Sequence, residues 1–162
     1  MCLLQVAGPG GILGGASWGL STDKERVYTN IINDEGRDFV LVPENTITRG
    51  GGWVAMDSKT GTILWSTPDP SLGLTPGPTS ASQGVVFGTS FSNPGFVYGL
   101  DSLTGSILWS SPTGSGIYGG VSIGSSCIFV GNGYNRFPFP NLSQPFACWK
   151  MMLRFLSLIL NN

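Results

Sequence analysis

Histidine is absent from this chain of 162 residues. That absence removes Ser-His-Asp and Cys-His nucleophilic chemistry, the common zinc sites and His-ligated haem, so any acid or base must be a carboxylate, Cys, Lys or Tyr. Cysteine is nearly as scarce. Cys2, Cys127 and Cys148 are too few and too scattered for a disulfide framework or a C-x-x-C site, and Cys127, in the apolar run CIFVG, reads as a buried small hydrophobe. Charge is also low: eight basic and nine acidic residues give a formal net charge of −1. No run of Lys or Arg supplies the footprint that nucleic acid or anionic lipid requires, so neither partner is expected. Long apolar runs are missing too. The opening MCLLQVAGPGG lacks the basic region of a secretory signal, and MMLRFLSLIL near the end is broken by Arg154 and falls short of the roughly 20 residues of a membrane helix. No transmembrane segment is expected.

What is abundant is Gly, at 25 residues, with 11 Pro. Such a chain consists of short elements and tight turns, an all-β composition, and its length suits a single domain. Within it one hairpin is written twice, as VAMDSKTGTILWST over 54–67 and VYGLDSLTGSILWSSP over 97–112. Asp57 and Asp101, Thr60 and Thr104, Gly61 and Gly105, and Trp65 and Trp109 are each separated by 44 positions. Each copy predicts a strand, a turn and a strand. The Asp carboxylate folds back onto turn amides, and the Gly supplies the positive φ that closes the loop. Strict alternation places Ile63 and Trp65 on one face and Leu64 and Ser66 on the other. A looser repeat relates PTSASQGVVFGTS at 78–90 to GVSIGSSCIFVGN at 120–132, and SWGLSTDKERVYTN at 17–30 has the same character. Each full unit thus holds four short strands, the pattern of a β-propeller blade.

Residues 31–52 interrupt the first unit as an insertion containing Asp34, Glu35, Asp38 and Glu44 with Arg37 and Arg49. It reads either as a binding loop or as a solvated, salt-bridged excursion. Residues 136–162 show neither blade alternation nor a DxxTG turn, which divides the chain into a partial propeller at 1–135 and a divergent, non-propeller tail at 136–162.

The pattern A-x-D-x-x-T-G-x-x-x-W at 55–65, repeated from Gly99 to Trp109, resembles the tryptophan-docking motif of quinoprotein alcohol dehydrogenases and the wider PQQ-like propeller repeats. Together with AGPGG, GGASWG and YGGVSIGSSCIFVGNGY, it looks most like plant polyvinyl-alcohol-dehydrogenase-like proteins across residues 7–135. The resemblance implies that Asp57, Thr60, Gly61, Trp65, Asp101, Thr104, Gly105 and Trp109 are structural, the indole packing between neighbouring blades. It assigns no catalytic, cofactor-binding or metal residue. For an active member it implies oxidation of a small alcohol by PQQ held with calcium, in a ring of roughly eight blades. This chain has no adjacent cysteine pair of the family kind, and about three units are expected to form an incomplete ring, the C-terminal part of a longer protein. The alternatives are a non-catalytic scaffold or binding module, or a truncated product that associates through exposed blade edges.

Overall fold

In the structure, a computed structural model, residues 5–16, 18–124 and 127–133 are described in full, with the backbone of 153–154. Most of the segment 136–162, expected as a divergent tail, therefore lies outside the described residues. No α-helix occurs among them, and none is long and apolar enough to cross a membrane. The strands are β1 (Ser21–Thr22), β2 (Arg26–Ile31), β3 (Phe39–Val40), β4 (Ile47–Thr48), β5 (Gly52–Asp57), β6 (Ile63–Pro68), β7 (Ser80–Ser82), β8 (Val85–Ser90), β9 (Phe96–Asp101), β10 (Ile107–Pro112), β11 (Val121–Ile123), β12 (Cys127–Val130) and β13 (Leu153–Arg154).

As the repeat requires, two four-stranded antiparallel sheets form, ordered β1-β2-β5-β6 and β7-β8-β9-β10, and a third begins as β11-β12-β13. They stack face to face. Tyr28, Trp53, Ala55 and Trp65 of the first sheet meet Val86, Tyr98 and Leu100 of the second in one core. Val85, Phe87 and Val97, on the opposite face of the second sheet, meet Val121, Ile128 and Val130 of the third together with Ile117. Because both faces of the second sheet are covered, all six residues of β8 are buried, and the strand reads VVFGTS rather than alternating with polar residues. The short first strands gather on one side, with β7 lying beside both β1 and β11. Ser21 donates to Thr79 Oγ1 (2.9 Å), which donates to the Tyr28 carbonyl (2.9 Å), while Ser80 Oγ donates to the Val121 carbonyl. Stacked four-stranded sheets joined along their first strands are β-propeller blades. Among the described residues there are two complete blades and part of a third, fewer than the four to eight that close a ring.

One local expectation is corrected. Met56 pairs with Ile63 but Ala55 pairs with Trp65, so a β-bulge intervenes. Cross-strand partners share a face, so Ile63 and Trp65 point to opposite faces. Trp109 repeats the irregularity, pairing with Gly99 while Ile107 pairs with Leu100. The extra residue re-aims the indole toward the neighbouring blade.

The insertion folds back on its own blade. Asn33 closes its base, with Nδ2 donating to the carbonyls of Arg37 (2.9 Å) and Arg49 (2.8 Å) and Oδ1 accepting from the Arg37 amide (2.9 Å). Glu35 with Arg37 and Asp38 with Arg49 form exposed ion pairs along its rim, and β3 and β4 make a hairpin within it. The hairpin tip reaches the outer strand of the blade. Ser66 donates its backbone N–H to the Val42 carbonyl (2.7 Å), and the Val42 amide donates to Ser66 Oγ (2.7 Å). Besides being a salt-bridged excursion, the insertion covers a sheet edge.

Candidate functional site

The two DxxTG turns are built alike, atom for atom. Asp57 Oδ1 accepts from the amides of Lys59 (2.9 Å) and Thr60 (2.7 Å) and from Thr60 Oγ1 (2.9 Å). Asp101 Oδ1 accepts from the amides of Leu103 (2.9 Å) and Thr104 (2.8 Å) and from Thr104 Oγ1 (3.0 Å). Gly61 and Gly105 sit at φ 72 and 74°, and each donates its amide to the Asp carbonyl at 2.9 Å. The amide and hydroxyl of Thr60, helped by the Lys59 amide, hold the Asp57 carboxyl below its ordinary value. These contacts occupy the carboxylates with turn geometry.

The consequence of the turn lies in what rests on it. Trp65, 2% exposed, donates Nε1–H to the Ser102 carbonyl (3.1 Å), in the second turn. Tyr28 donates to the same carbonyl (3.4 Å) and to Asp23 Oδ2 (2.6 Å), and its ring lies 6.1 Å from that of Trp65. Burial, reinforced by the bond to Asp23, pushes the Tyr28 hydroxyl up to about 12. Thr67 Oγ1 donates to the Gly105 carbonyl (2.7 Å). The indole also explains why position 105 is glycine beyond its positive φ, since a Cβ there would stand 2.6 Å from Trp65 ring carbons. Trp109 is half-buried and packs against the core between the second and third sheets.

A second junction, not singled out in the sequence, surrounds Asp69. This carboxylate is fully buried immediately beyond β6. Oδ1 accepts from the Ser71 amide (3.0 Å), Ser71 Oγ (2.8 Å) and the Tyr98 hydroxyl (3.1 Å), and Oδ2 accepts from Ser90 Oγ. Burial, and after it the Asp69 charge, raises the Tyr98 pKa well above the usual phenol range. The cluster ties the end of the first blade to β8 and β9 of the second. Its one sequence signal is a difference between the copies: WSTPD in the first becomes WSSPT in the second, with Thr113 in place of the Asp.

A crevice of about 290 Å³ opens between the insertion and the second turn, lined by Glu44, Thr46, Ser66, Thr67, Ser106 and Ile107 among others. Among the described residues no three of His, Cys, Asp and Glu come together as metal ligands. Cys127 is buried in β12.

Two predictions follow from this geometry. Trp65→Ala should cost about 3–5 kcal/mol in urea unfolding, and Trp109→Ala less than half of that, because only the first indole is fully enclosed. Equal losses would contradict the placement. Asp69→Ala should cost about 3 kcal/mol by stranding the Ser90 and Tyr98 hydroxyls, whereas Asp69→Asn keeps an acceptor and should cost less than half as much. A neutral Asp69→Ala would show that the cluster does not join the blades.

No protein-family model matches the sequence, and no curated protein is significantly similar to it. Among solved structures, BamB from Moraxella catarrhalis is similar at 19% sequence identity and a TM-score of 0.49, over 70% of this chain and 30% of that one. The chain therefore spans less than a third of that structure's length, and its assignment as propeller blades rests on its own sheets.

Proposed function

We propose that the chain belongs to the PQQ-like-repeat propellers and that its blades serve as a scaffold for binding or assembly, with the DxxTG-to-Trp hairpins fastening one blade to the next. One observation carries this reading: the fate of the acidic residues. All nine lie within the described residues. Asp23 shapes the β1–β2 turn, Glu25 lies beside the Arg26 guanidinium (3.5 Å), Asp57 and Asp101 shape the two hairpin turns, and Asp34, Glu35, Asp38 and Glu44 belong to the insertion. The ninth, Asp69, is the one buried carboxylate, and both of its oxygens are taken by hydroxyl and amide donors. Calcium is usually held by several carboxylates, and among the described residues no three acidic side chains come together. Of the other acids, Asp34 accepts from the Leu13 amide (3.1 Å) and Glu44 lines the crevice beside the insertion, and neither meets a second carboxylate that would make a metal site. Resemblance in the hairpin supports the fold of that family more firmly than its chemistry.

The test is a titration of the purified chain with PQQ and calcium, followed by Trp fluorescence and by alcohol oxidation with an artificial electron acceptor. The scaffold reading predicts neither saturable quenching nor turnover. Calcium-dependent, saturable quenching accompanied by turnover would overturn it in favour of the dehydrogenase.

A further inference from the structure

The two complete blades end in equivalent outer strands, β6 and β10, and the chain itself shows what one of these edges accepts. In the ladder Ser66 pairs with Val54 and Ser110 pairs with Tyr98, the same position 44 residues on. The Ser66 N–H points away from β5, since it is this group that meets the Val42 carbonyl, and Ser66 Oγ takes the Val42 amide in return. A single serine thus grips both backbone groups of one residue at the tip of the β3–β4 hairpin. Leu41, beside Val42, is 5% exposed, and Ser66 is 6% exposed beneath the tip.

At Ser110 the same register turns the N–H outward, the residue is exposed, and among the described residues no hydrogen bond meets its N–H or its hydroxyl. The reason is connectivity. In the first blade residues 32–51 join β2 to β5 and supply the hairpin, whereas residues 91–95 join β8 to β9 directly. Ser110 is accordingly exposed, Leu108 is 55% exposed and Ile107 38%, and β10 carries no charged residue to discourage pairing.

We infer that the outer edge of β10, centred on Ser110, is a docking site for a protein partner that presents the tip of a β-hairpin, held through the backbone N–H and C=O of one apolar residue as Ser66 holds Val42. The inference rests on the scaffold reading and gives it a surface and a class of partner. It commits to a hairpin tip because that is the element seated on the equivalent serine.

The probe is a peptide of residues 38–49, closed by a disulfide between added terminal cysteines and labelled with a fluorophore, since Ser66 is already filled by the chain's own copy. Fluorescence anisotropy should show saturable binding to the wild-type chain. Ser110→Pro removes both the N–H and the hydroxyl; proline is tolerated where an edge N–H faces outward, and binding should weaken at least about tenfold. Ser110→Ala removes only the hydroxyl and should weaken binding about fivefold, which decides the question if the proline variant does not fold. Absence of saturable binding to the wild type, or affinity unchanged in the variants, overturns the site while leaving the scaffold reading to the quinone titration. Concentration-dependent dimerisation abolished by Ser110→Pro would also overturn it, because the edge would then belong to a second copy.

Discussion

The carbonyl of Ser102 is the point on which the described structure turns. It accepts hydrogen bonds from Trp65 and Tyr28, both from the preceding blade, and the Asp101 turn that presents it is held open by Gly105 directly beneath the Trp65 ring. A four-stranded blade has two faces and cannot bury either alone, so its stability is that of its junctions. The Asp and Gly of the turn fix the backbone. The fixed backbone places a carbonyl, and the carbonyl with the absent Cβ makes a seat for the previous Trp. Local turn chemistry and long-range packing are therefore one constraint, which is why the hairpin recurs with so little change.

That constraint governs what was legible in the sequence. The DxxTG turn and its Trp stood out because they depend on residue types that few substitutes satisfy: an acceptor that folds back on amides, a residue at positive φ, and a large ring with a donor. From their spacing came the four-strand unit and the insertion between β2 and β5. The orientation of Ile63 is not legible because a bulge inserts one residue and reverses the alternation, and nothing in TILW marks where that residue goes. The role of Asp69 has no sequence signature, because a PDP loop is ordinary turn punctuation and its partners Ser90 and Tyr98 come from two other strands. The cap on β6 was equally hidden, since half of it is the backbone of Val42 and has no side-chain signature.

The two blades also differ in ways that bear on function. The first is closed at its outer edge by its own insertion and has Asp69 at the strand end where the second has Thr113. The second keeps the same ladder and leaves its edge open. Asp23, Asp57 and Asp101 are held in turns, Glu35 and Asp38 in an ion-paired rim, and Asp69 in the inter-blade cluster.

The most direct measurement is a double-mutant cycle between Trp65 and Gly105, which share the inter-blade contact without being neighbours in sequence. Gly105→Ala is strained by its positive φ in any background, but in the wild type it also drives a Cβ into the indole. Urea unfolding of the single variants and the double variant separates the two effects. If Trp65 is seated on the second turn, Gly105→Ala should cost at least about 1 kcal/mol less when residue 65 is already Ala. Additive losses, with no coupling between the two positions, would mean that the indole does not rest on the neighbouring blade.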